Sequence, residues 1–221
     1  MYQNVNFIIP ELFLVLFNLS FLSIMMFVKS AAILSNGNKI AALALIITAV
    51  LVYSAPVESD PVIGGFYTSN EFTSFFKILI LFLSSVILYL SDAYLKKNDL
   101  LRYEFPLLIN FSLFGMMVVI SSNDLMALYL GIEIQSLSLY IIAAYRRDNL
   151  KSTEAGLKYF ILGALSSGLL LYGISLVYGA TGSTQFDTIY TSIMYTERML
   201  GLQVGMVFLL SGRRPAWDCT A

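Results

Sequence analysis

The sequence predicts an all-α membrane protein: a polytopic helix bundle of six transmembrane helices plus the start of a seventh. Three observations carry this reading. Hydrophobic residues fill 58% of the 221 positions and charged residues only 12%, against about 25% charge in ordinary soluble domains. Mean hydropathy is +0.78. Apolar runs recur along the chain, most of them close to the ~20 residues that cross a bilayer, and 221 residues hold six or seven of them with short loops.

Taken in order, the first helix is expected over 7–28, with Pro10 tolerated in its first turn. The first apolar run reads as a retained helix, because no basic stretch precedes it as in a cleaved leader. The second is expected over 40–56. An acidic loop with Gly, Ser and Pro, 57–71, follows. The third, 72–90, contains Lys77. The fourth, 106–121, is opened by Pro106. The fifth, 124–145, takes Ser122, Asn123 or Asp124 as its cap. The sixth, 154–178, takes Ser152 or Thr153, and Glu154 suits the positive helix start. Residues 200–212 are apolar but only 13 long, too short to span. Three segments result: 1–103 with three helices, 104–212, and a divergent tail, 213–221.

The loop charges give a topology. Lys29 and Lys39, then Lys96, Lys97 and Arg102, then Arg146, Arg147 and Lys151 fall in alternate connections, and the opposite side holds only Arg198. The positive-inside rule puts the N-terminus outside and the basic loops in the cytoplasm or matrix.

Composition also excludes chemistry. The single cysteine, Cys219, cannot make an internal disulfide, a zinc ribbon or a four-cysteine iron–sulfur site, and there is no histidine for haem or imidazole acid–base work. Net charge is −1, so nothing draws the chain to nucleic acid. No phosphate loop, dinucleotide fingerprint or catalytic triad is present.

Glu133 is the feature that points to function. It sits inside an otherwise uncharged run, 125–144. A carboxylate at mid-helix in a membrane costs about 2.5–3.5 kcal/mol on insertion scales, and such residues face bundle interiors. It lies nine residues from the outer helix end, roughly 13 Å at 1.5 Å per residue. Gln135, Ser136 and Ser138 extend a polar stripe that can hold water or bond a neighbouring helix. The functional reading is an ion relay; the bland one is a protonated carboxyl used for packing, and the former is preferred. Lys158 divides evenly between snorkelling beside Glu154 at i−4 and acting as the cation that tunes a buried carboxylate. For Lys77, snorkelling or pairing with Glu71 or Asp124 is expected. Gly163/Ser167 and Ala164/Gly168 form small-xxx-small pairs that predict close helix packing.

The stretch 104–145, with DLMALYLGIEIQSLSLY, and the stretch 152–187, with EAGLKYFILGA, resemble subunit 2 of NADH:ubiquinone oxidoreductase, respiratory complex I. FTSFFKILIL at 72–81 is similar to that family's third helix. The resemblance extends to about Gly212. It implies kinship with cation/proton antiporter subunits, about fourteen helices in inverted repeats, and proton translocation driven by electron transfer elsewhere in the complex. It matches Glu133 to the family's fifth-helix glutamate, thought to set the protonation of a lysine on a broken seventh helix, and Lys158 to a sixth-helix lysine. Partners would be the lipid bilayer and the other membrane subunits. NADH, flavin, iron–sulfur clusters and quinone would belong to other subunits, with no cofactor here. The implied location is the mitochondrial inner membrane with the N-terminus in the intermembrane space, or alternatively a bacterial plasma membrane. The chain departs from the family at RRPAWDCTA, where the seventh-helix lysine is expected, so an N-terminal fragment is expected. The rival readings are a secondary cation/proton antiporter subunit and a structural membrane segment with no transport.

Overall fold

A computed structural model describes residues 6–27, 31–62, 64–97, 100, 102–195 and 200–211. Lys29, Arg198, Cys219 and the tail 213–221 lie outside the described residues. Eight helices and one hairpin follow in order: α1 (Ile9–Phe27), α2 (Ala31–Ser54), β1 (Glu58–Val62), β2 (Tyr67–Ser69), α3 (Glu71–Lys97), α4 (Glu104–Ser121), α5 (Leu125–Ala143), α6 (Leu150–Thr181), α7 (Phe186–Tyr195) and α8 (Leu200–Ser211). Among the described residues, α2 to α6 are long and apolar enough to cross a membrane. The apolar stretch of α1, Ile9–Met25, is slightly shorter, and α8 is the short apolar piece expected to begin a seventh span.

The core lies among the first four helices. Leu14, Leu45, Leu81, Leu88, Leu113 and Met117, drawn from α1 to α4, form one buried cluster. Polar contacts cross it at set points. Asn110 of α4 donates to Asn18 of α1 at 3.2 Å, and Asn38 of α2 donates to Asp92 of α3 at 3.5 Å. In a membrane, where lipid is as apolar as leucine, such contacts select which helices pair. Helix α4 joins the two parts of the bundle; 44% of its apolar stretch is buried, as in α2, against 22% for α5 and for α6. It packs on the first three helices with one side and on α5 with the other. Gly115 and Gly131 make that second contact possible: a Cβ on Gly115 would stand 2.6 Å from the Gly131 carbonyl oxygen.

Several boundaries differ from the sequence reading. Helix α2 begins nine residues earlier than expected, because Asn36-Gly37-Asn38, a turn-prone run, is held by packing: Gly37 faces Phe21 and Met25, and Asn38 binds Asp92. Lys39 is therefore an exposed residue within α2 and not in a loop. Helix α3 continues to Lys97, helped by the Asp92–Lys96 pair at 2.6 Å. Helix α4 starts at Glu104, with Pro106 buried in its first turn. The cap of α6 is Asn149, which accepts from the Lys151 N–H; Ser152 and Thr153 instead donate to the carbonyls of Ala143 and Asn149. Of the three candidates for α5, Asp124 is the cap, accepting from Met126 and Ala127. Two elements were unforeseen, the β1–β2 hairpin inside 57–71 and α7.

These elements tie one end of the bundle together. The Asn123 N–H donates to the Phe66 carbonyl at 2.9 Å, and the Leu125 N–H to the Thr184 carbonyl at 3.0 Å. The Gln185 Nε2 donates to Gly64 at 3.0 Å. Gly65 has φ +89°, and a Cβ there would lie 2.9 Å from Gln185 Nε2, so only glycine suits the position. The three connections on this end, after α2, α4 and α6, thus join as one clamp. At the opposite end the basic connections meet. Arg147 pairs with Glu104 at 2.7 Å, and Tyr145 donates to the Leu100 carbonyl at 3.2 Å. Burial pushes the Tyr145 phenol up, which keeps it a donor.

Candidate functional site

Residues three and four apart on α5 line one face: Tyr129, Glu133, Ser136 and Tyr140. The matching stripe of α6 is Tyr159, Gly163, Ser166 and Leu170. Between the two helices is a cavity of about 220 Å³. At about 30 Å³ per molecule it has room for several waters, and its lining offers polar partners for them. Glu133 is half-buried in this lining. Among the described residues, no Lys or Arg lies within 4.0 Å of its carboxylate. Tyr140 lines the same cavity as Glu133 and Ser136. The predicted polar stripe divides. Gln135 and Ser136 line the cavity, whereas Ser138 is buried away from it and donates to the Ile134 carbonyl at 3.2 Å.

The structure sets Lys158 beside the cavity rather than within it. The side chain is 70% exposed and pairs with Glu154 at 2.7 Å. That pair borders a separate open groove of about 800 Å³, also lined by Lys151 and Tyr159. The small-residue pairs do less than expected within the chain. Gly163 receives the Tyr140 hydroxyl, but Gly168 has nothing within 4 Å. Close helix contact is made instead by Gly115/Gly131, by Gly156 against Ala144, and by Gly173/Gly205 between α6 and α8.

Lys77 overturns its expectation. It neither snorkels nor pairs with Glu71 or Asp124; it is 4% exposed and pairs at 2.5 Å with Glu11 of α1. Its Nζ also donates to the Tyr67 hydroxyl at 2.7 Å, and that hydroxyl donates to Glu11 at 2.9 Å. Burial first, and then the Glu11 charge, push the Tyr67 phenol up. Asp124 is occupied elsewhere, as the α5 cap and as acceptor from Thr184 at 2.5 Å. The sequence held a signal for the true partner: Glu11 is an acid one residue past Pro10 in an apolar helix, and lone intramembrane acids want a cation.

Comparison with known proteins places this geometry in context. The family described as NADH:quinone oxidoreductase/Mrp antiporter, TM, matches residues 122–217, the part that contains the cavity. The chain is 43% identical over 211 residues to NADH-quinone oxidoreductase subunit N of Pelagibacter ubique, covering 95% of this chain and 44% of that protein. It is 53% identical over 148 residues to the protein of the same name from Jannaschia, covering 67% of this chain and 31% of the relative. The chain thus spans less than half the length of these relatives. Among solved structures, respiratory complex I from Thermus thermophilus with bound aureothin contains a chain of the same fold (TM-score 0.72, 24% identity, 92% of this chain and 43% of that one). An archaeal membrane-bound sulfane sulfur reductase contains another (TM-score 0.68, 23% identity, 95% and 44%).

Proposed function

The chain belongs to the antiporter-like membrane family of NADH:quinone oxidoreductases and Mrp antiporters, and from that premise we propose that it is part of a proton-translocating membrane subunit of an NADH-quinone oxidoreductase. The observation that carries the proposal is Glu133: a carboxylate lining a cavity large enough for water, with no cation in ion-pair range among the described residues. A carboxyl so placed gains and loses a proton without breaking a local salt bridge. Its charge, partly removed from bulk solvent, acts on groups around the cavity.

In the proposed cycle a proton reaches Glu133 through cavity water. Neutralising the carboxylate weakens its pull on a lysine, either Lys158 or the seventh-helix lysine that the resemblance implies. That lysine then gives up its proton more readily. The electron-transfer groups and quinone chemistry belong to partner subunits, and this chain takes part in the enzyme as its ion-conducting part. The bacterial sources of the relatives favour a bacterial plasma membrane over a mitochondrial one.

The test is Glu133→Gln in the assembled complex, in sealed membrane vesicles. Pumping per NADH oxidised should fall at least about tenfold, the scale of losing a positioned acid–base group. Normal pumping with normal assembly would remove the role. The family also includes Mrp antiporters, so co-purification of NADH-oxidising subunits with the full-length protein is the second check. Their absence would favour the antiporter reading.

A further inference from the structure

Two grooves near the basic end of the bundle each share a wall with Glu133's cavity. Tyr159 and Leu162 border both the cavity and the groove of the Lys158–Glu154 pair. Of these two, only Tyr159 carries a transferable proton. Tyr140 borders both the cavity and a second groove, of about 370 Å³, which holds Arg147 and Glu104. The two phenols touch edge to face, with ring centroids 4.9 Å apart and planes at 87°. The tyrosines of the two shared walls thus meet each other at an aromatic contact.

The backbone is shaped for that contact. On α5, Tyr140 is seven residues past Glu133, two turns along the same face and about 10 Å toward the basic end. On α6 the position opposite is Gly163. A Cβ there would stand 1.9 Å from the Tyr140 hydroxyl oxygen and 2.4 Å from the ring carbon bearing it. Any larger residue would displace the hydroxyl. Tyr140 is otherwise buried at 8% exposure, so its hydroxyl lies where the missing side chain leaves room.

We propose that the Tyr140–Tyr159 pair, seated by Gly163, is the proton doorway between the Glu133 cavity and the grooves at the basic end. This rests on Glu133 being a proton carrier, as proposed above. A proton arriving from a groove adds to a phenol oxygen, and the hydroxyl's own proton leaves toward water or the Glu133 carboxylate. Each phenol gains one proton and loses one. Neither stays charged, and nothing is oxidised or reduced. Ser136, one turn from Glu133 and lining the same cavity as Tyr140, continues the path.

The experiment uses the full-length protein in its assembled complex in sealed vesicles. Proton uptake per NADH oxidised is compared in H₂O and D₂O for Tyr140→Phe, Tyr159→Phe, Gly163→Ala, Gly168→Ala and Glu133→Gln. The Phe variants keep the rings and their contact, and assembly is checked by native gel. The doorway predicts a loss of about tenfold or more in Tyr140→Phe or Tyr159→Phe, with a larger solvent isotope effect in the residual pumping, which a packing defect would not produce. Gly163→Ala should lose pumping with every hydroxyl retained, whereas Gly168→Ala, which meets open space, should pump normally. If both Phe variants and Gly163→Ala pump at the parent rate while Glu133→Gln does not, the doorway is wrong and the carrier stands. If Glu133→Gln also pumps normally, the carrier falls and the doorway with it. Should Tyr140→Phe not assemble, Tyr159→Phe and Gly163→Ala decide the matter alone.

Discussion

Replacing Lys77 with Met breaks the most buried ion pair among the described residues. Lys77 and Glu11 each have side chains only 5% exposed, so solvent screens the pair little. Removing one member of a buried pair costs about 3–5 kcal/mol, because the survivor is left charged and uncompensated. Here the survivor is not wholly stranded, since the Tyr67 hydroxyl still donates to Glu11 at 2.9 Å. The other carboxylate oxygen, Oε2, already lacks a hydrogen-bond partner among the described residues, however, and gains none. The low end follows, about 3 kcal/mol for Lys77→Met, or roughly a hundredfold in the folding equilibrium. Lys77→Met with Glu11→Gln should cost only about 1 kcal/mol, because the buried charge is gone and the new amide oxygen can still accept from Tyr67. The double should then be about 2 kcal/mol more stable than Lys77→Met alone, and the coupling between the two sites is that difference plus the cost of Glu11→Gln alone. Reversible unfolding in detergent micelles, run on both singles and the double, measures the cycle. A double variant as unstable as Lys77→Met alone would refute the reasoning, since it would mean that the damage is lost packing and not a stranded carboxylate.

Three further outcomes follow from the same structure. Gly115→Ala should destabilise by about 1–3 kcal/mol, the cost of overpacking, because the new methyl meets Gly131 backbone at 2.6 Å. In the same unfolding assay Gly168→Ala should be neutral or gain up to about 1 kcal/mol from helix propensity. Asp124→Ala should cost about 1–2 kcal/mol as a lost cap, and should speed hydrogen exchange at Met126 and Ala127, whose N–H groups it now accepts.

Long periodic features were legible in the sequence and cross-chain ones were not. Apolar runs declared α3 to α6, and Asp124 declared itself as a cap, because both signals are local. The start of α2 was hidden because Asn-Gly-Asn reads as a turn by propensity, whereas Asp92, more than fifty residues away, keeps Asn38 helical. The hairpin was hidden because its pairing is fixed by contacts with the α4–α5 and α6–α7 connections rather than by an alternating pattern. Helix α7 has apolar residues at 186, 189, 190, 193 and 194, a helical spacing visible in the sequence, but it is too short to register against spans of ~20 residues. At the candidate site, Glu133 was legible because one charge in twenty apolar residues has few bland explanations. The aromatic contact behind it was not, because tyrosines are frequent in this chain and only the fold shows which two meet across Gly163.

The two intramembrane glutamates show why burial of an acid does not by itself define a transport site. Glu11 and Glu133 each stand as the sole acid of an apolar helix, and hydropathy treats them alike. Glu11 receives a lysine and a tyrosine hydroxyl in a closed setting, near an apolar core of Leu14, Leu81 and Met117. A proton added there would have to break an ion pair. Glu133 has the opposite surroundings: space, hydroxyls, and no cation in range among the described residues. Pairing makes the first a fastener between α1 and α3. Freedom from pairing gives the second the setting that the proposed proton carrier requires. The distinction lies in what the fold brings to each carboxylate, so two residues of the same type stand in opposite surroundings.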